Sequence, residues 1–415
     1  MRILNISSLY PPNVIGGAEL SVKTIAEAMA DAGHDMHVIT LQPPSDSQPT
    51  GDVNSGQVTV HQVPLANVYW PFESDRAARS RMQKIFWHGI DTSNEVMARR
   101  VERIVREVNP DVVLTHNLQG FSTAVMPAVK RVRAPLVHVP HDYSLVCPQT
   151  ALWRNDRGCG FRELRCTNCK VLTVPRHRHL AAVDAVISVS RSLLEFHRLH
   201  GLFTDVPATV IHNALRPELK IRTRVATRSD DDVFTFGYLG RVERSKGIET
   251  LLAAAAELEA RGSRFRLRVA GRADPLYIES LRQRWPLTNI EFVGFTDSTE
   301  FLCSIDALVF PSEWLEALGN GVFEAYSQGV PVIGAATGGI PESIDPGVTG
   351  FVFGAGNVTE LTRAMSSLLD DPALRTAQGE AALAKARQYL APRRAAEYVS
   401  FLETFLADRA EGAAA

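Results

Sequence analysis

Residues 311–341 read PSEWLEALGNGVFEAYSQGVPVIGAATGGIP. The apolar run 307–310 just before them has the length and composition of a buried parallel strand, and 322–328 has a helical pattern. Residues 331–335 form a second apolar run that ends in the Gly338-Gly339 turn. Strand, loop, helix and strand in this order make one turn of a doubly wound α/β sheet. Glu316 falls in the loop, Glu324 falls in the helix, and Gly319, Asn320 and Gly321 form the break between them. In such sheets ligands collect where loops leave the carboxyl ends of the strands. Two carboxylates spaced in this way suit the hydroxyls at two ends of an elongated polar ligand.

The same unit recurs outward from this stretch. Residues 234–239 form a strand running into Gly240-Arg241 and then Lys246-Gly247, where a helix to about 260 begins. A guanidinium and an ammonium at one strand–loop–helix mouth suit a diphosphate. Strands follow at 266–270, 290–293 and 349–353, then a helical run from 358 to about 407 and a tail, 411–415, expected to be disordered.

The first half opens with a strand at 2–6, a loop holding Gly16-Gly17, a helix at 18–32 and a strand at 37–41. On spacing alone the Gly pair reads equally as a plain tight turn or as backbone made small for a ligand. It is not the G-x-G-x-x-G of dinucleotide enzymes. Residues 43–57 read as a loop, 58–63 as a strand and 76–108 as helical. Strands follow at 111–114, 136–139, 185–189 and 209–212. The second of these ends in Pro140-His141-Asp142, and Ser190 is placed to cap a helix to about 200. Residues 215–232 lose periodicity and read as a linker. Asp230-Asp231-Asp232 precedes a strand instead of following one, so it reads as solvated linker.

At 415 residues the chain has length for two or three domains. Lys+Arg 44 against Asp+Glu 46 gives a net charge of −2, which offers no global attraction to nucleic acid. No apolar run approaches the ~18 residues of a spanning helix, and the start MRILNISSLYPP has no secretory pattern, so a cytoplasmic protein is expected. Arg76, Arg79, Arg81 and Lys84 lie close to Phe86 and Trp87. The plainer reading is a solvated basic face with a packed aromatic edge. The other is contact with an anionic membrane or a lipid-linked acceptor.

Four of the five cysteines, Cys147, Cys159, Cys166 and Cys169, share one short window. Reduced thiols are the rule in the cytosol, and the C-x-x-C spacing at 166–169 leaves structural zinc, an iron–sulfur site and free thiols open. Cys303 reads as a core residue.

Glu316 and Glu324 with seven residues between them, together with G-R-x4-K-G upstream, resemble the retaining glycosyltransferases of family 4, whose fold is GT-B. The resemblance extends over nearly the whole chain, and it departs from the family pattern at Leu318 and Asn320. It implies two Rossmann-like doubly wound domains facing a central cleft. Their expected bounds are 1–214 (with a Cys-rich insert at 147–169), a linker 215–232, a nucleotide-sugar domain 233–390, and a helix 391–410 crossing back to the first domain.

By the same resemblance, Arg241 and Lys246 take the diphosphate with amides of the Gly338-Gly339 turn, and the Gly16-Gly17 loop faces the donor phosphates. Glu316 takes donor-sugar hydroxyls, with Gly319, Asn320 and Gly321 beside it, and Glu324 takes the ribose. His141 reaches the donor sugar, supported by Asp142. Catalysis then needs no cofactor or divalent metal. The implied partners are a UDP- or GDP-sugar and a sugar or lipid-linked acceptor, with peripheral membrane contact at the inner face. A nucleotide-sugar epimerase of the same fold, a dinucleotide oxidoreductase and a non-catalytic sugar-nucleotide-binding protein are the rival readings.

Overall fold

The computed structural model describes residues 1–44, 52–72, 79–150, 152–154, 156–159, 167–222 and 233–414. Arg76, Cys166 and Asp230-Asp231-Asp232 lie outside the described residues.

In chain order the first elements are β1 Arg2–Ile6, α1 Gly17–Asp31, β2 Asp35–Gln42, β3 Asp52–Ser55, β4 Val58–Pro64, α2 Arg81–Thr92 and α3 Glu95–Val108. Then come β5 Val112–Thr115, α4 Val125–Arg131, β6 Leu136–His138, a short hairpin of β7 Trp153–Arg154 and β8 Arg157–Gly158, α5 Thr167–His177, β9 Ala185–Ser188, α6 Arg191–Leu199 and β10 Ala208–Val210. The second half has β11 Phe234–Leu239, α7 Ile248–Ala260, β12 Phe265–Ala270, α8 Pro275–Arg284, β13 Ile290–Gly294, α9 Ser298–Cys303 and β14 Ala307–Phe310. It ends with α10 Gly321–Ser327, β15 Val332–Ala335, α11 Ile340–Ser343, β16 Gly350–Phe353, α12 Val358–Asp370, α13 Pro372–Ala386 and α14 Ala391–Ala414.

These elements form two compact units. One contains Met1–Ala151, Phe161–Arg216 and Ala391–Ala415, and the other contains Leu152–Gly160 and Pro217–Leu390. The hairpin inside the cysteine window therefore belongs to the second unit, and α14 belongs to the first, where it packs on α1.

Each unit is built on one sheet. The second has the order β13-β12-β11-β14-β15-β16, parallel throughout. Its central strands are apolar along their length because helices cover both faces. Phe236, Leu251, Leu258, Leu267, Val309, Ile333, Leu361 and Met365 make one continuous core there. The order reverses between β11 and β14, which places the ligand crevice of such a sheet at the loops that follow those two strands. The first sheet runs β10-β9-β6-β5-β1-β2-β4-β3, with only the edge pair β3–β4 antiparallel. Its reversal lies between β1 and β5, and His116 and His141 follow β5 and β6.

Several elements differ from the sequence expectations. Part of the 43–57 loop is β3, whose polar composition fits an edge strand. The helical run 76–108 is two helices, because Asn94 Oδ1 accepts from the Met97 amide at 3.1 Å and starts α3 afresh. The run from 358 breaks at Asp371-Pro372, where Asp371 caps α13, and again at a 3-10 turn, Arg387–Tyr389. Helix α8, capped by Asp274 and opened by Pro275, had no expected counterpart. The tail expected to be disordered is helical to Ala414.

A buried ion pair clamps the first unit. Asp91 at the end of α2 accepts from the Gly120 amide at 2.7 Å and lies 3.3 Å from Arg176 Nη2 of α5. Burial pushes the Asp91 carboxyl up to about 7 against the opposing pull of Arg176 and the Gly120 amide. A carboxyl raised in the folded state stabilises the protein most below its unfolded pKa and loses that contribution as pH rises through the folded value. Removing the guanidinium raises the folded value further. Arg176→Met should therefore cost about 3–5 kcal/mol near pH 8 and clearly less near pH 5. Thermal unfolding at the two pH values checks this, and an equal deficit at both would contradict it.

Candidate active site

The site of the second unit is assembled where the loops after β11 and β14 meet. The first loop turns tightly through a 3-10 segment, Arg244–Lys246, and ends at Gly247 with φ +72°. A Cβ on Gly247 would lie 1.8 Å from the Pro311 carbonyl oxygen, so glycine is what lets the two loops touch. The Ser245 carbonyl then accepts from the amides of both Glu313 and Trp314 at 3.0 Å. Thr250 Oγ1 donates to Glu313 Oε1 at 2.6 Å, adding a side-chain tie from α7.

This stitching brings Lys246 and Glu316 together. Lys246 Nζ lies 2.6 Å from Glu316 Oε1, the same oxygen that accepts from Ser312 Oγ at 3.0 Å. Both side chains are largely withdrawn from water, 16% and 11% exposed, so each supplies the counter-charge that the other needs. The ammonium also stands 4.0 Å from the centre of the Trp314 ring, a cation–π contact. A carboxylate has about four acceptor positions over its two oxygens, so Glu316 keeps capacity for hydroxyls beyond these two contacts.

Arg241 is different: its side chain is 60% exposed and its Nη1 lies 3.2 Å from Glu243 Oε2. Its backbone is fixed from below by the Tyr238 hydroxyl, which donates to the Arg241 carbonyl at 2.6 Å. Burial, followed by the Glu243 and Glu316 carboxylates, raises the Tyr238 pKa well above the usual phenol range, so the hydroxyl remains a donor. Beside these residues lies a cavity of about 590 Å³ lined by Arg241, Arg244, Arg272, Glu249 and Tyr277, among others. Asp156 of the hairpin segment also lines it and pairs with Arg244 at 3.3 Å. The cavity's three guanidiniums stand among four carboxylates, Asp156, Glu243, Glu249 and Asp274, and Arg241 and Arg244 are paired with them, so the lining carries no excess positive charge.

Glu324 lies in the first turn of α10, a full helical turn past the Gly319-Asn320-Gly321 break. The break is forced by packing. Gly319 has φ +95°, and a Cβ on Gly321 would come within 3.0 Å of the Phe310 ring.

The Gly338-Gly339 turn requires a correction. The Gly339 amide, expected to face a diphosphate, already donates to the Glu316 carbonyl at 2.9 Å. Gly338 has φ +51°, and a Cβ there would stand 1.9 Å from that same oxygen. Thr337 Oγ1 adds a bond to the Ser312 carbonyl at 3.1 Å. The turn thus acts as a brace that sets the height of the Glu316 loop.

In the first unit, His141 is half-buried at the end of β6, and its Nε2 lies 3.0 Å from His116 Nδ1. His116 Nε2 in turn meets Asn5 Oδ1 at 2.8 Å. Burial lowers the His141 pKa to about 4. Burial, with His141 and His138 nearby, lowers that of His116 well below the usual range, so both rings are neutral near pH 7. Because the Asn5 oxygen accepts, the His116 proton sits on Nε2. His116 Nδ1 then accepts from His141 Nε2–H, which leaves His141 Nδ1 as an acceptor. Asp142 closes a local turn by accepting from the Ser144 amide at 2.8 Å, and burial raises its pKa.

The Gly16 amide donates to Glu19 Oε2 at 2.9 Å at the start of α1. Gly16 is exposed and extended, with φ −148°, and a Cβ there would meet nothing closer than 3.8 Å. Neither conformation nor packing requires glycine at that position.

Cys147 and Cys169 belong to the first unit and Cys159 to the second. Among the described residues no three or more His, Cys, Asp or Glu side chains gather where they could hold a metal ion. Cys303 sits at the end of α9, where its Sγ meets Gln328 Oε1 at 3.4 Å.

Sequence reasoning missed Ser312, Trp314, Tyr238, Asn5 and the role of His116. Trp314 lies two residues before Glu316, and that proximity was the one available signal. The geometry separates the glycines by role. Gly338→Ala should lower stability by about 1–3 kcal/mol through the clash with the Glu316 carbonyl, while Gly16→Ala should leave stability within about 0.5 kcal/mol of the parent. Equal unfolding temperatures for the two variants would contradict this division.

Comparisons with known proteins give the family and the fold. The family model for glycosyl transferases group 1 matches residues 220–385, and the model for the glycosyl transferase 4-like domain matches residues 16–214. The chain is 32% identical over 375 residues to the α-D-kanosaminyltransferase of Streptomyces kanamyceticus, covering 87% of this chain and 92% of that one. It is 28% identical over 400 residues to a glycogen synthase of Mycobacterium tuberculosis, covering 92% and 89%. In fold it is similar to sucrose-phosphate synthase from Thermosynechococcus elongatus, with a TM-score of 0.74 at 19% identity over 98% of this chain and 99% of that one. It is likewise similar to Anabaena HepE solved with UDP, with a TM-score of 0.69 at 19% identity over 97% and 100%. The chain is a glycosyltransferase and belongs to the GT-B-fold enzymes of family 4.

Proposed function

We propose that the enzyme moves a sugar from a nucleoside-diphosphate sugar, with UDP or GDP as the carrier, to an acceptor hydroxyl with retention of anomeric configuration. The acceptor is a sugar or lipid-linked hydroxyl, in polysaccharide, glycolipid or glycoconjugate synthesis on the cytoplasmic side. The observation that carries this reading is the Lys246–Glu316 pair at 2.6 Å, with Arg241 on the same loop. Solved complexes of HepE hold UDP and UDP-glucose, which supports a donor of this class.

As the anomeric bond breaks, negative charge develops on the leaving diphosphate, and fixed cations aimed at it are worth most at that moment. Lys246 is already drawn out of water by Glu316 and Trp314, so the arriving diphosphate meets an ammonium whose desolvation is largely complete. Arg241, more exposed, closes on the same group. Glu316, paired with Lys246, accepts donor-sugar hydroxyls, and Glu324 accepts those of the ribose. In the first unit, neutral His141 offers Nδ1 to a sugar hydroxyl, and the small Gly16-Gly17 backbone admits the donor phosphates closely. A donor phosphate oxygen assists deprotonation of the acceptor on the face that the leaving group vacates, so no protein nucleophile and no divalent metal enter the reaction.

Arg241→Ala removes a charge-assisted contact from an exposed side chain and should weaken binding of the free nucleoside diphosphate by about 1.5–3 kcal/mol. Calorimetry showing unchanged affinity would remove Arg241 from the phosphate site. Glu316→Gln should depress turnover with free diphosphate binding nearly intact, whereas Glu324→Gln should weaken both donor and free diphosphate, which share the ribose. Equal losses of diphosphate affinity in the two glutamate variants would contradict the assigned roles.

A further inference from the structure

Both cations assigned to the diphosphate lie over a single ring. The Lys246 ammonium stands 4.0 Å from the centre of the Trp314 indole, and the Arg241 guanidinium carbon stands 6.0 Å from it. Attraction between a cation and an aromatic face reaches to about 6 Å from the ring centre and is strongest for Trp.

The place of this ring is set by backbone, not by its own polar atom. The Trp314 amide donates at 3.0 Å to the carbonyl of Ser245, the residue before Lys246. The neighbouring Glu313 is tied to the same carbonyl through its amide and to Thr250 Oγ1 through its carboxylate. The indole Nε1, by contrast, is buried with no hydrogen-bond partner. A buried donor left unpaired lowers stability, and a leucine or phenylalanine would fill apolar space without that penalty. What an indole adds over a leucine is the electron-rich face over which the two cations lie.

The cations need such a face before the donor arrives. Each is also paired with a carboxylate, Lys246 with Glu316 at 2.6 Å and Arg241 with Glu243 at 3.2 Å. A carboxylate takes up N–H groups that phosphate oxygens require, and an ion pair as exposed as that of Arg241 holds its side chain weakly. An aromatic face attracts both cations at once, brings no net charge to cancel theirs, and leaves their N–H groups to the ligand.

We propose that Trp314 is a positioning residue, whose indole face holds Lys246 and Arg241 together, by cation–π attraction and not by shape alone, as the pair that receives the donor's diphosphate. This deepens the donor reading above and rests on it. The ring acts through the two cations, so its contribution falls on the phosphates and not on the base or the ribose.

The test varies the charge of the ring face at nearly constant shape, so that folding is not at issue. Tryptophans of increasing fluorine content, placed site-specifically at position 314 of the full chain, withdraw electron density from the face. Calorimetry then gives the affinities for UDP and GDP, each beside its free nucleoside. Diphosphate affinity should fall stepwise along the series, by about tenfold for the most fluorinated ring, with nucleoside affinity unchanged. Trp314→Phe, which keeps an aromatic face, should lose less diphosphate affinity than Trp314→Leu, which keeps only apolar volume. A diphosphate affinity that stays flat along the fluorinated series, yet above that of the nucleoside, would overturn the role of the ring and leave the donor reading standing. Equal losses in the Phe and Leu variants, or a parallel fall in nucleoside affinity, would overturn it as well. A parent protein that binds neither diphosphate more tightly than its nucleoside would remove the donor reading, and this proposal with it.

Discussion

A lysine and a glutamate withdrawn from water together set the limits on the second unit. Lys246 and Glu316 meet at 2.6 Å, so the two loops that carry them must stay in register to within a hydrogen bond. The glycines answer to this constraint. Gly247 lets the β11 loop touch Pro311, and Gly338 lets the turn after β15 sit against the Glu316 carbonyl. The Ser245 carbonyl, shared by two amides, closes the arrangement. The result is a preorganised cation beside a preorganised acceptor, at the point where the strand order reverses.

The first unit solves a different problem with neutral groups. His116 and His141 are both held uncharged by burial, and Asn5 at the end of β1 sets the direction of their hydrogen bonds. A ring with a pKa near 4 does not change its charge across the physiological range, so His141 is suited to fixed hydrogen bonding with hydroxyls and not to proton shuttling near neutrality.

Much of this was legible in the chain itself, and the reasons for the remainder are physical. The strands of the second sheet are apolar runs bounded by Gly and Pro, so their places follow from composition, and Glu316 and Glu324 fall in loop and helix as their spacing implies. Arg241 and Lys246 were visible because both sit at one strand mouth. The use of the Gly338-Gly339 turn was not visible, since a glycine kept small for a ligand and one kept small for a carbonyl read alike. The Asn5–His116–His141 line joins three strand ends more than 20 residues apart, and no local pattern announces it. β3 was lost because an edge strand needs only backbone partners, and the break at Asn94 because a cap inside a polar run resembles any other asparagine.

On the proposed function, the crevice after β11 and β14 binds a nucleoside diphosphate chiefly through its phosphates. Calorimetric titration of the parent protein with UDP and GDP, each beside its free nucleoside, tests this most directly. Two charge-assisted contacts at Arg241 and Lys246 predict that one of the diphosphates binds at least about a hundredfold more tightly than its nucleoside, an advantage that shrinks as salt is raised. Diphosphate and nucleoside binding with equal affinity for both bases would contradict the account.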